Sequence, residues 1–212
     1  MQPLVINLTD KKVVIAGGGR IAARKARVLG AEQANITFIA PVFSEEVLEL
    51  CIDKEYKIVQ RKVMVADFKE AFLVILATND REANRILANS LPPSQLVCVV
   101  DESGEGNVTF PATVRRGHLQ VAVTSNGASP KLTRKLKKEL ERQFDESWVP
   151  YTAFLNKCRE KIKQLPITFE EKNERLWELL DTRYLHDNNA QKLKWDELDS
   201  YKNKSLLTKQ ST

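Results

Sequence analysis

Residues 13–22 read Val13-Val14-Ile15-Ala16-Gly17-Gly18-Gly19-Arg20-Ile21-Ala22. A short β-branched run stops at three glycines, and residues 21–30 continue as an alanine-rich helix carrying Ile21, Val28 and Leu29. The string fits G-x-G-x-x-[G/A], with Gly17, Gly19 and Ala22 at the three small positions. In that pattern the first glycine makes the tight turn and the second lets backbone amides come close to a pyrophosphate. The small third residue lets helix and strand pack together. The start of the helix adds unpaired N–H groups and the positive end of its dipole. Set between a strand and a helix, the turn predicts dinucleotide binding.

Working outward, strand-like and helical segments alternate. Strands are predicted over 36–40, 57–61, 72–77 and 96–100, and helices over 44–52 and 80–90. Ser44 is the expected cap of its helix, with Glu45 and Glu46 in the first turn where the dipole favours them. The run 72–77 is apolar throughout, as in a strand buried on both faces. This alternation implies a parallel sheet with right-handed crossovers, an α/β Rossmann-type domain. After residue 101 the pattern changes: a polar loop over 101–107, an alternating strand over 118–124, then a turn with Ser129 as N-cap and Pro130 as first helical residue. The rest is helical, with breaks expected near Pro150, Pro166 and residues 187–189. Leu155, Leu165, Leu176, Trp177, Leu179, Leu180, Leu193, Trp195 and Leu198 are the expected apolar faces of a small bundle. The expected division is 1–113 for the dinucleotide domain, 114–148 for a dimerisation and substrate-cleft segment, and 149–212 for a helical domain.

Composition narrows the class. Of 212 residues, 42% are hydrophobic and 29% charged, the balance of a globular protein. No apolar stretch approaches the ~20 residues that cross a bilayer. The N-terminal residues lack a basic segment followed by an apolar one, so no secretory leader is expected. Cys51, Cys98 and Cys158 are odd in number and form no CxxC pair. A disulfide framework or zinc knuckle is therefore not expected, and a reducing compartment, the cytoplasm, is. The net charge of +5 is unevenly placed: residues 111–142 hold eight basic side chains against two acidic ones, while the remainder carries 25 and 26. This segment fits an anionic ligand or a solvated helix face. With no interleaved aromatics and no helix-turn-helix signature, nucleic acid is not the expected partner.

In open α/β sheets ligands bind beyond the carboxyl ends of the strands. Three such ends carry candidate residues: the glycine turn, Thr78-Asn79-Asp80, and Asp101. A carboxylate at Asp101 suits a proton acceptor or a metal ligand, or it caps a turn. The acid that often accepts the adenosine ribose at the end of the second strand is missing, since that strand runs into Ala40-Pro41-Val42-Phe43. No arginine stands beside it either, so these residues by themselves fit NAD or NADP.

Several strings together resemble the precorrin-2 dehydrogenase family, including the N-terminal part of siroheme synthases. They are Val14-Ile15-Ala16-Gly17-Gly18-Gly19 with Ala22-Ala23-Arg24-Lys25, Leu76-Ala77-Thr78-Asn79-Asp80 and Cys98-Val99-Val100-Asp101. The most specific is Phe110-Pro111-Ala112-Thr113-Val114-Arg115-Arg116-Gly117, followed by Val121-Ala122-Val123-Thr124-Ser125-Asn126-Gly127-Ala128-Ser129-Pro130. The resemblance spans about residues 4–145. It implies NAD-dependent oxidation of precorrin-2, a tetrapyrrole with eight carboxylates, to sirohydrochlorin in siroheme biosynthesis, by a homodimer. It also implies that Asp101 is the catalytic residue. Gly17, Gly18, Gly19, Arg20, Ile21, Ala22, Pro41, Val42, Thr78 and Asn79 become candidate NAD contacts. Arg115, Arg116, Ser125, Asn126 and Lys131 become candidate substrate contacts. Some family members also insert ferrous iron, a step for which Asp101 is the candidate ligand. The alternative class for such a glycine turn is a dinucleotide-sensing regulatory module.

Overall fold

The computed structural model describes residues 1–100 and 104–209, with side chains to residue 201. The chain forms two compact units, Met1–Phe110 and Pro111–Thr212.

The first unit is built on a five-stranded sheet of β1 (Lys12–Ala16), β2 (Asn35–Ile39), β3 (Lys57–Val59), β4 (Leu73–Leu76) and β5 (Leu96–Val99). The order is β3-β2-β1-β4-β5 and every pairing is parallel. Strand order therefore reverses between β1 and β4, which opens a crevice at their carboxyl ends. Alternate residues face opposite sides. Val13, Ile15, Leu73, Ile75 and Cys98 join one core cluster with α1 (Arg20–Gly30) and α2 (Glu45–Lys54). Val14, Ala16, Val74, Leu76, Val97 and Val99 join the other with Leu87 of α3 (Arg81–Asn89). A single 3-10 turn over Val65–Phe68, not foreseen from the sequence, anchors its buried Phe68 in that second cluster. Beyond β5 the chain doubles back. Val97 donates its N–H to Asn107 Oδ1 at 2.8 Å, and its carbonyl accepts from the N–H groups of Asn107 and Val108. Asn107 and Val108 thus pair with the outer edge of β5 at Val97.

The second unit begins with an antiparallel hairpin, β6 (Ala112–Arg116) and β7 (Leu119–Val123). Sequence reading finds β7 but not β6, whose Arg115-Arg116 end hides the alternation. The two-residue turn has Gly117 first at φ +57°, the glycine place of a tight hairpin. Five helices follow: α4 (Pro130–Gln143), α5 (Trp148–Gln164), α6 (Phe169–Glu178), α7 (Arg183–His186) and α8 (Asn188–Lys209). The break expected near Pro150 is present, between Gln143 and Trp148, just ahead of the proline. Pro150 itself sits in the first turn of α5, where its missing N–H has no helical partner to lose. The core is Tyr151, Phe154, Cys158, Ile162, Leu165, Leu179, Tyr184 and Leu198. Trp177, Leu180 and Leu193 are exposed instead. Leu176 and Leu179, three residues apart, turn to the core, so Trp177 and Leu180 are rotated away from it.

Candidate functional site

A cleft of about 470 Å³ lies at the carboxyl end of the parallel sheet, lined by Gly19, Arg20, Ile21, Ala77, Thr78, Asn79, Arg81, Asn84, Val99 and Val100. That volume is in the range of small-molecule sites.

The three glycines differ in what their missing side chains permit. Gly17 holds φ +140°, and a methyl group there would lie 2.3 Å from the Ala77 carbonyl oxygen. A methyl group on Gly18 would meet the Val42 carbonyl oxygen at 2.2 Å. This close approach lets the loop after β2 seat on the turn, with the Ser44 N–H donating to the Gly18 carbonyl at 2.7 Å. Gly19 is the opposite case: a methyl group there would meet nothing within 4 Å. Its open side gives on the cleft. Gly19 is also the N-cap of α1, with no side chain to satisfy the first amides and no acidic residue in the first turn. The amides that begin α1 are thus left for an anionic ligand. Directly beneath, Ala22, Ala23 and Ala26 are fully buried, which brings the helix down onto the sheet. Ala22 therefore serves packing and does not line the cleft. A dinucleotide fits this arrangement: an unobstructed backbone, uncapped amides and small residues below.

The facing wall follows β4. Thr78 Oγ1 bonds Asn84 Oδ1 at 2.7 Å, and Asn84 Nδ2 donates to the Thr78 carbonyl at 3.2 Å. Asp80 caps α3 by accepting the Ala83 N–H at 2.9 Å. Asn84 is 4% exposed, so the loop carrying Thr78 and Asn79 is tied down from within. Sequence reading missed Asn84, although its place one turn after Asp80 and one turn before Leu87 marks a polar residue on a buried face. Pro41 and Val42 are exposed on the β2 loop and adjoin the turn through Gly18. Ser44 heads α2 as expected, but its side chain makes no capping bond. Asp101 lies outside the described residues, immediately after Val100 of the cleft wall.

In the second unit, Ser125 and Asn126 occupy the turn between β7 and α4. Asn126 takes φ +50°, and Ser125 Oγ accepts the Ser129 N–H at 3.0 Å. Ser129 caps α4 by accepting the Leu132 N–H at 3.2 Å, and Lys131 follows in the first turn. Arg115 is exposed, whereas Arg116 is largely covered and lies 3.4 Å from Glu146. The hairpin tip is fixed by buried Thr152, whose hydroxyl accepts the His118 N–H and lies 3.1 Å from the Arg116 carbonyl. Along α4, Lys135 and Lys137 pair with Glu139 and Glu141, the helix's two acidic residues. Its remaining charge is positive. Among the described residues no three His, Cys, Asp or Glu side chains lie together as a metal site, and no helix is long and apolar enough to cross a membrane. All three cysteines are buried, and burial pushes their thiols up, Cys158 to about 11. None is a thiolate at neutral pH.

Against known proteins, a putative NAD(P)-binding family matches residues 4–112, the central part of sirohaem biosynthesis proteins matches 116–143, and the SirC C-terminal domain matches 148–194. The precorrin-2 dehydrogenase of Priestia megaterium is 34% identical over 184 residues, 87% of this chain and 91% of that one. The chain belongs to the precorrin-2 dehydrogenase family. The Bacillus subtilis (strain 168) precorrin-2 dehydrogenase is 38% identical over 161 residues, 76% of this chain and 99% of its own. A solved precorrin-2 dehydrogenase, SirC, superposes with a TM-score of 0.85 at 32% identity, covering 95% of this chain and 100% of that one. The siroheme synthase of Tolumonas auensis is 34% identical over 163 residues, but the match covers only 34% of its length.

Proposed function

We propose that this chain oxidises precorrin-2 to sirohydrochlorin with NAD in siroheme biosynthesis. The observation that carries the reading is the likeness to precorrin-2 dehydrogenases over nearly their whole length, together with a glycine turn open at Gly19. Family membership favours this enzyme over a dinucleotide-sensing module. When bound, NAD takes up the hydride that leaves the macrocycle. Gly17, Gly18, Gly19, Arg20 and Ile21 hold the pyrophosphate. Pro41 and Val42 border the adenosine ribose, while Thr78 and Asn79 wall the nicotinamide side. Ala22 supports the turn from below.

Asp101 acts as general base, accepting the proton that the macrocycle loses as the hydride departs. The products are then sirohydrochlorin, NADH and a proton. Arg115, Arg116, Lys131, Ser125 and Asn126 meet the substrate. The positive charge of residues 111–142 supports this role, since it suits a ligand with eight carboxylates. The functional division is 1–113 for NAD, 114–148 for dimerisation and substrate, and 149–212 for the helical domain. The chain works as a homodimer. This is supported by α4, which buries none of its residues in the single chain and leaves Leu132 and Leu136 exposed. Buried, unpaired cysteines fit a cytoplasmic setting.

Asp101→Ala tests the base. It should bind NAD like the parent and lower turnover about a hundredfold or more, the usual scale of a lost general base. Turnover equal to the parent would remove Asp101 from the chemistry.

A further inference from the structure

Past the end of β3 lies an ion pair that takes no part in lining the cleft. Arg61 Nη1 and Nη2 donate to the two carboxylate oxygens of Asp67 at 2.8 and 2.6 Å, and Nη1 also donates to the Lys62 carbonyl at 3.0 Å. Asp67 accepts the Met64 N–H at 2.8 Å as well. Its side chain is 11% exposed against 41% for Arg61. It stands in the 3-10 turn pinned by buried Phe68, so the carboxylate is fixed before any ligand arrives. The Arg61 guanidinium holds the Asp67 carboxyl below the usual carboxylate range.

The place of this pair matters. β2 and β3 run parallel with Ile39 opposite Val59, so their carboxyl ends lie side by side. Gln60 Nε2 donates to the Pro41 carbonyl at 3.4 Å, linking the two loops directly. In dinucleotide folds the end of the second strand meets the adenosine ribose. An acid there reads the 2′-hydroxyl of NAD, and a nearby arginine accommodates the 2′-phosphate of NADP. Here β2 ends in Ala40-Pro41-Val42 and supplies neither. The first cation past the neighbouring strand is Arg61, and its planar fork is already matched by a carboxylate.

We propose that Asp67 determines cofactor choice: it occupies the Arg61 guanidinium and neutralises it at this rim, so that the site takes NAD and discriminates against NADP. The selectivity is exerted against the wrong ligand, by withholding a donor, rather than by a contact to the right one. A 2′-phosphate has to displace a preorganised bidentate partner. Lys62 remains in every variant below, so its charge cancels in the comparison.

This inference rests on the dinucleotide reading, and its test separates the two. Dissociation constants for NAD and NADP are measured by calorimetry on the full chain without substrate, for the parent, Asp67→Asn and Arg61→Gln/Asp67→Asn. Asparagine keeps the acceptor for the Met64 N–H. Asp67→Asn should tighten NADP about tenfold or more, the scale of one hydrogen bond to a charged group, and leave NAD unchanged. The double variant, neutral on both sides, should bind both nucleotides like the parent. Unchanged NADP affinity in Asp67→Asn with NAD binding intact would overturn the proposal. So would a tenfold loss of NADP in the double variant, which would mean that Arg61 already serves the phosphate. Should the single variant fail to fold, Asp67→Ser, which also releases Arg61 while keeping a hydroxyl acceptor, takes its place with the same two outcomes. Failure of the parent to bind NAD would instead overturn the dinucleotide reading itself.

Discussion

Gly17 and Gly19 stand two positions apart and should respond to the same substitution in opposite ways. A methyl group on Gly17 collides with the Ala77 carbonyl and is held at a φ that L-residues rarely adopt. Gly17→Ala should therefore cost about 2–5 kcal/mol, from backbone strain plus overpacking. At Gly19 the methyl group enters open space, so Gly19→Ala should change stability by no more than about 1 kcal/mol, the scale of a weaker helix cap. It should still weaken NAD about tenfold or more, because the methyl group takes the room a pyrophosphate needs. Thermal denaturation and calorimetric titration of both variants check this; equal melting points would refute the assignment of roles. The G-x-G-x-x-A spacing is legible in sequence, and so is a purpose for Gly17 and Gly19. The purpose of Gly18 is not, because the atom it makes room for, the Val42 carbonyl oxygen, belongs to a loop brought there by the β1–β2 pairing.

Among elements, the link from β4 to α3 shows how a cleft wall is held. Thr78 is fixed by Asn84, four residues into α3, through bonds to both its hydroxyl and its backbone. Asn84→Ala should take this partner from the Thr78 N–H and carbonyl, while the hydroxyl keeps its bond to the Asp80 carbonyl; it should cost about 1–3 kcal/mol and loosen the loop that carries Asn79. The expected readout is a lower melting temperature with weaker NAD binding; a variant as stable as the parent would mean that the bonds contribute nothing. Apolar runs made the four long strands of the first unit legible, since a buried parallel strand is written in consecutive apolar residues. β6 was hidden because Arg115 and Arg116 occupy its end, and its pairing with β7 depends on Gly117 and on Thr152 from α5. Pro150 marked the break between α4 and α5 correctly, since proline ends a helix from within but is tolerated in a first turn. The exposed Trp177 and Leu193 were misplaced because helical composition does not tell which face of a short helix meets its neighbours.

On the scale of the whole molecule, fold and family were both legible in the order of the motifs, whereas the homodimer came only from the resemblance and stays a proposal. A helix such as α4, with Leu132 and Leu136 exposed, has the composition of an ordinary surface helix until its lack of any buried residue is seen. The proposed homodimer should appear in analytical ultracentrifugation at twice the chain's 24.1 kDa, and Leu132→Glu/Leu136→Glu should shift it towards monomer. A parent chain sedimenting as a monomer at micromolar concentration would contradict the assembly. The central claim, oxidation of precorrin-2 with NAD, is tested most directly by mixing purified chain with precorrin-2 and NAD under anaerobic conditions and following NADH and macrocycle absorbance together. The account predicts one NADH for each sirohydrochlorin formed, with neither product appearing when NAD or the chain is left out. Precorrin-2 that stays unoxidised while NAD is bound would contradict it.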